Sequence, residues 1–193
     1  MGCSSGDGGD DTPPPPVDRY YAYVANRNSY NISAYTINTS TGALTAIAGS
    51  PFPIGYYYYN SIAVSPTGKF IYVPNSMTDS ISAYAISSRS GVLTVIAGSP
   101  FAAGSYPKSV AIDPTGEFLF VANLGSADIS AYTLNASTGA LTEIGGSPFP
   151  AGSFADFITV DPTGKFAYVT TESPAGVSGF AIDPSTGALT EIA

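Results

Sequence analysis

Apolar residues along this chain fall in short runs, none longer than about seven residues, and the runs recur in a fixed order. The first type is continuously apolar: SIAV (61–64), SVAI (109–112) and FITV (157–160). The second is aromatic and β-branched: YYAYV (20–24), KFIYV (69–73), EFLFV (117–121) and KFAYV (165–169). The third alternates, with Ile81, Ala83 and Ala85 set against Ser82, Tyr84 and Ile86. The fourth is the ALTAI type that follows Gly42 and its equivalents. Runs this short and this rich in β-formers predict strands, and nothing predicts a long amphipathic helix. The connections agree. Asp113-Pro114-Thr115-Gly116 suits a type I turn, with Asp first, Pro preset at the second position and Gly fourth. Asn38-Thr39-Ser40-Thr41-Gly42 suits a hairpin that needs a positive φ at its glycine.

The order repeats. GALTAIAGSPF begins at Gly42, GVLTVIAGSPF at Gly91, GALTEIGGSPF at Gly139 and GALTEIA at Gly187, at spacings of 49, 48 and 48 residues. Four antiparallel strands in a unit of this length predict a propeller blade. The expected fold is therefore all-β, with about 15 strands: three in the first copy and four in each of the others. The copies run about 17–60, 61–108, 109–156 and 157–193. The continuously apolar strand should line the central channel, with later strands more polar toward the rim. Phe52, Phe101 and Phe149, each after Ser-Pro, are expected to wedge between blades.

Composition narrows the chemistry. Of 193 residues only 6 are Lys or Arg, against 14 Asp or Glu, and the basic residues do not cluster. That argues against a nucleic-acid partner, which needs a basic stripe. Zero histidines and a single cysteine, Cys3, leave no metal-ligand set and no cofactor motif. Residues 1–16 read MGCSSGDGGDDTPPPP, a leader without apolar periodicity that ends in a polyproline spacer. A Cys followed by small and acidic residues resembles the start of a mature bacterial lipoprotein. The resemblance implies lipid attachment at Cys3, a membrane tie only through that anchor, and an extracytoplasmic location. Only Met1 and Gly2 precede the cysteine, so a lipoprotein signal would have been trimmed.

The motifs YVAN (23–26), YVPN (72–75), FVAN (120–123) and YVTT (168–171) follow one another in register and resemble those of YVTN-type and lactonase-type propellers, over residues 18–193. The resemblance implies seven blades, whereas the copies here amount to about 3.7. Three arrangements would satisfy this: part of a longer ring, two copies forming one ring of about eight blades, or four blades closing alone. The resemblance also implies a 6-phosphogluconolactonase-type lactone hydrolase. Such an enzyme needs a base and a basic pocket where the blade-joining loop enters the inner strand. The matching stretches are Tyr59-Asn60-Ser61, Pro107-Lys108-Ser109 and Ala155-Asp156-Phe157, without histidine.

Two functions follow. The first is a lipid-anchored binding or interaction module for a protein or glycan, self-associating to complete the propeller. Its contact residues would be Tyr56, Tyr57, Tyr58, Tyr59, Tyr106, Lys108, Asp156 and Arg27 on loops at one face, with Asn28, Asn75, Asn123 and Glu172 nearby. The second is a lactonase-like hydrolase of the 6-phosphogluconolactonase type whose catalytic residues are absent or lie in missing blades. Lys108 and Asp156 fall on one channel mouth on that reading, and are solvated loop charges on the simpler one.

Overall fold

The computed structural model describes residues 20–54, 61–173 and 175–192. They form four antiparallel sheets and no α-helix. The first sheet holds β1 (Tyr20–Asn26), β2 (Asn31–Ile37), β3 (Leu44–Ala46) and β4 (Phe52–Pro53). The second holds β5 (Ala63–Val64), β6 (Phe70–Asn75), β7 (Ser80–Ile86), β8 (Leu93–Val95) and β9 (Phe101–Ala102). The third holds β10 (Pro107–Ile112), β11 (Phe118–Asn123), β12 (Asp128–Leu134), β13 (Leu141–Glu143) and β14 (Phe149–Pro150). The fourth holds β15 (Ser153–Val160), β16 (Phe166–Ser173), β17 (Ala175–Ile182) and β18 (Leu189–Ile192). Within each sheet sequential strands are neighbours, the meander of a propeller blade. Blades 1 to 4 below are these sheets in order.

Among the described residues the strands number 18 rather than 15. The three additional strands are β4, β9 and β14, which continue the outer edge beside β2, β7 and β12. They are built by the Gly-Ser-Pro-Phe motif. The hydroxyls of Ser50, Ser99 and Ser147 accept hydrogen bonds from the amides of Ala34, Ala83 and Ala131 on the third strand. Phe52, Phe101 and Phe149 pack, half-buried, against the clusters between blades, as expected of wedges. Two further expectations are corrected. In the two middle blades the most buried strand is the second, not the inner one: every residue of β6 and β11 is buried, while β5 and β10 are mixed. In blades 2 and 3 the second strand has strands on both sides and blades on both faces, whereas the inner strand keeps a free edge toward the channel. The inner strands of blades 3 and 4 also begin at Pro107 and Ser153, earlier than the repeat boundaries at 109 and 157. Among the described residues, blade 1 begins with the second-strand equivalent β1, as read from the sequence.

The turns have the expected geometry. The amide of Gly116 donates to the Asp113 carbonyl at 3.0 Å, and the Asp113 carboxylate accepts from the amides of Thr115 and Phe118. Asp161 repeats this with Thr163, Lys165 and Phe166. Its bond from the Thr163 hydroxyl, with the three backbone donors, holds its carboxyl down at about 2. At the outer hairpin Gly42 has φ of 72°, and the Asn38 carboxamide oxygen accepts from the amides of Ser40 and Thr41.

One junction is repeated between blades. An aromatic ring at the start of a second strand lies flat on the hairpin glycine of the next blade: Tyr21 on Gly91, Phe70 on Gly139, Phe118 on Gly187. A Cβ added at Gly139 would come within 2.5 Å of Phe70 Cδ1, so the approach requires glycine. Two residues on, the Tyr23 hydroxyl donates to the Gly91 carbonyl at 2.8 Å and the Tyr72 hydroxyl to the Gly139 carbonyl at 2.7 Å. Burial pushes both hydroxyls well above their ordinary pKa, so they remain neutral donors. At the third junction Phe120 replaces the tyrosine and the ring contact alone remains. The inner strands are tied as well. Val110 donates its amide to Ser61 Oγ, and Ile158 donates to Ser109 Oγ.

Candidate functional site at the channel mouth

The asparagine of the YVxN motif, placed on a loop face by the sequence, is architectural. Asn75 and Asn123 are buried at the end of the second strand. Asn75 Nδ2 donates to the hydroxyls of Ser80 and Ser82 on the third strand, and Asn123 Nδ2 to Asp128 Oδ1 and Ser130 Oγ. Asn26 makes the same clamp to Asn31 and Ser33. This clamp squares off the hairpin that frames the mouth. It engages both Nδ2 groups, while the Asn123 carboxamide oxygen is buried without a partner among the described residues and Asn75 also lines the cleft between blades 1 and 2.

Chemistry gathers where the blade-joining loops enter the inner strands. In blade 3 the β10–β11 register slips between Pro107 and Ser109, which makes Lys108 the extra residue of a β-bulge. In blade 4 the β15–β16 register slips between Ala155 and Phe157, which makes Asp156 the extra residue. A bulge interrupts the pleat and re-aims one side chain, and bulges concentrate beside functional sites. The two bulged side chains meet: Lys108 Nζ forms an ion pair with Asp156 Oδ1, a shielded oxygen with no other polar contact among the described residues. Glu172 Oε1, from β16, stands 3.9 Å from the same ammonium and is the more exposed carboxylate. The group carries one positive and two negative charges.

The residues two positions earlier are also unusual. Tyr106 and Phe154 hold φ of 53° and 60°, a left-handed conformation rare for aromatic residues, and both are exposed. Tyr106 is held there by two blades: its amide donates to Asp79 Oδ1 of blade 2 at 2.8 Å, and its carbonyl accepts from the Leu124 amide of its own blade. The ion pair and the two left-handed aromatic residues thus share the entry to the inner strands of blades 3 and 4.

Of the residues expected from sequence, Lys108 and Asp156 are brought together and Tyr106 lies beside them in the chain. Arg27 is elsewhere, exposed in the β1–β2 turn of blade 1. Tyr56, Tyr57, Tyr58, Tyr59 and Cys3 lie outside the described residues. Glu172 was recognisable in the sequence only as a loop residue near the same face. Its pairing with Lys108 depends on register, because β16 runs two residues longer than β11 before its turn. Elsewhere, a cleft of about 440 Å³ between blades 1 and 2 is lined by Asn75, Thr78, Ser80 and Ser82. These groups are already bonded to one another, and no charged side chain reaches the cleft. Among the described residues no group of three potential ligands could hold a metal ion.

The repeat and the blade meander agree with a known family. The family model described as "Lactonase, 7-bladed beta-propeller" matches residues 57–157, more than half of the chain. The chain belongs to this lactonase family. No curated protein sequence matches it. Among solved structures, a candidate 6-phosphogluconolactonase of Bacteroides uniformis superposes with a TM-score of 0.76 at 19% identity, covering 89% of this chain and 50% of that one. A protein of unknown function from Desulfotomaculum acetoxidans gives 0.75 at 24%, covering 92% and 53%. The periplasmic gluconolactonase of Pseudomonas aeruginosa gives 0.70 at 18%, covering 90% and 53%. At these identities the likeness is one of fold. The lactonase-family chain spans about half the length of the structures it matches.

Proposed function

We propose that this lactonase-family chain binds and hydrolyses a small, uncharged sugar lactone at the mouth formed by Lys108, Asp156 and Glu172. The observation that carries the reading is the pair of β-bulges, at one repeat position in adjacent blades, that turn Lys108 and Asp156 toward each other. Family membership supports the reaction class. The charge balance supports the substrate class: an ammonium already flanked by two carboxylates offers little to a phosphate and more to neutral hydroxyls. In the reaction, Glu172 takes a proton from water as the water oxygen bonds to the lactone carbonyl carbon. Lys108 stabilises the oxygen that gains negative charge. The ring carbon–oxygen bond then breaks, and the proton passes to the departing ring oxygen, leaving the open hydroxy acid. Asp156 positions Lys108.

The test is acid release from glucono-δ-lactone followed in a pH-stat, corrected for spontaneous opening. The expectation is saturable turnover that falls at least tenfold in Glu172→Gln and Lys108→Met, with the 6-phosphorylated lactone the poorer substrate. Spontaneous rates alone for wild type would contradict the reading.

A second reading is a binding module for a protein or glycan, favoured by the complete absence of histidine. It predicts ligand uptake without turnover. Lipid attachment at Cys3 and an extracytoplasmic location are compatible with either reading. Mass spectrometry of the chain from bacterial membranes tests them, the expected result being a diacylglyceryl mass shift on the Cys3 peptide.

A further inference from the structure

Two residues hold a backbone conformation that the turns of the repeat otherwise leave to glycine. In blades 2 and 3, positive φ at the outer hairpin falls on Gly91 and Gly139, at the Gly-Ser-Pro-Phe turn on Gly98 and Gly146, and at the Pro-Thr-Gly turn on Gly68 and Gly116. Where the joining loops enter β10 and β15, the same region of φ is held by Tyr106, at 53°, and Phe154, at 60°. A Cβ in that region is crowded against the backbone, a cost glycine avoids. Neither ring offsets the cost by filling the interior: Tyr106 is 37% exposed and Phe154 49%. The loops join blade 2 to blade 3 and blade 3 to blade 4, so each has a blade on either side and its ring still faces solvent. The loop at Tyr106 is fixed from several directions. Besides the bonds of Tyr106 itself, the Ser105 amide donates to Ser126 Oγ at 2.9 Å, the Ser105 carbonyl accepts from the Gly125 amide at 3.0 Å, and the Pro107 carbonyl accepts from the Ser76 hydroxyl at 2.7 Å. Asp79, with φ of 48°, shows why a side chain is kept at such a position: its carboxylate holds the Tyr106 amide. By the same reasoning the rings of Tyr106 and Phe154 have a use, and it lies outside the chain.

We propose that Tyr106 is a stacking platform for a neutral sugar ring and Phe154 a second one, so that the mouth takes a lactone carrying at least one further sugar. An aromatic face bears partial negative charge, while the C–H face of a sugar ring is apolar with partially positive hydrogens, so the two stack without a charged partner. Tyrosine supplies that area rigidly, at low conformational cost. Each ring stands two residues before one member of the Lys108–Asp156 pair, on adjacent blades whose inner strands are tied through Ser109 and Ile158. Two platforms exceed what a single lactone ring needs. The charge balance of the pair and Glu172 disfavours an anionic extension and leaves a neutral one. The choice of a sugar rests on the lactone reading of the mouth; the stacking itself uses neither Lys108 nor Glu172.

Saturation-transfer NMR of the 193-residue chain with cellobiose, maltose and glucose tests this, because none of the three has a lactone to hydrolyse. At least one disaccharide is expected to bind about tenfold more tightly than glucose, with transfer concentrated on the C–H protons of one ring face. Tyr106→Gly should weaken that binding about tenfold, and Tyr106→Phe, which keeps the ring, should hold it within about twofold. Relief of the positive φ offsets the freedom that glycine adds to the unfolded chain, so Tyr106→Gly should melt within about 3 °C of wild type. Tyr106→Asn, which also accepts positive φ, should behave like Tyr106→Gly in both measurements. Wild type that binds neither disaccharide, or binds them no better than glucose, overturns the proposal. Unchanged binding in the glycine and asparagine variants overturns it too, as do melts of both far below wild type, which would make the ring part of the fold. Disaccharide binding without turnover of glucono-δ-lactone would sink the hydrolysis and support the platforms, so the two readings fail separately.

Discussion

The wall between blades and the mouth of the channel are built from the same repeat, but they treat its copies oppositely. At the wall the copies agree. Tyr21, Phe70 and Phe118 lie on Gly91, Gly139 and Gly187, and the contacts are buried and largely apolar. At the mouth, one strand away, the copies diverge. The bulged position holds Lys108 in blade 3 and Asp156 in blade 4, and the strained position before it holds Tyr106 and Phe154. A position that must satisfy the same neighbour in every blade is constrained to one side chain. A position that faces the channel has no repeated neighbour and is free to differ. On the proposed reading, divergence at this otherwise repeated, specially shaped position is where the scaffold meets its ligand.

The comparison breaks most visibly at the wall. Tyr72→Ala removes a fully buried ring and its bond to Gly139, and should cost about 3–5 kcal/mol. That is a large share of the stability of a domain of this size. Urea unfolding should show the midpoint falling sharply. A loss below about 1 kcal/mol would mean that the wall is not the main source of stability.

The wall was legible in the sequence because it is periodic. The GSPF and PTGKF registers located the blades, and Phe52, Phe101 and Phe149 were recognisable as wedges. The two-residue strands β4, β9 and β14 were not, because a Ser-Pro-Phe segment too short for any alternation shows itself only through the bonds from Ala34, Ala83 and Ala131 to its serines. The clamp made by Asn75 and Asn123 was hidden for a related reason. A polar residue at the end of a strand reads as a loop residue until its partners, Ser80 and Ser82 or Asp128 and Ser130, are seen across the hairpin. At the mouth, Lys108 and Asp156 could be aligned from the repeat. Glu172 could not be joined to them, because its contact depends on the bulge in β15 and on the longer β16 hairpin, neither of which leaves a pattern in the sequence.

A smaller effect sharpens the comparison at a turn, where the repeated feature is polar rather than packed. Asp161 is held at about 2 in the folded chain, first by the Thr163 hydroxyl and then by backbone amides, against about 3.9 for an unfolded aspartate. The folded chain therefore binds this proton less readily. The turn's contribution is complete above about pH 4 and is lost as the pH falls toward 2. Melting temperature measured from pH 5 to pH 2 should fall less steeply in Asp161→Asn than in wild type. Parallel curves would show that the carboxylate contributes nothing at this turn.

The claim at the centre of the account is that the mouth serves a ligand while the wall holds the fold. It is tested most directly by thermal melts of wild type, Lys108→Met and Asp156→Asn, each with and without a sugar δ-lactam, a stable mimic of the lactone. Lys108 and Asp156 are about a quarter to a third exposed, so their pairing should be worth less than about 1 kcal/mol and the unliganded melts should nearly coincide. The predicted result is a melting temperature that rises with lactam concentration in wild type alone, by mass action. Unliganded variants that melt far below wild type, or a lactam shift that survives in both of them, would contradict the account.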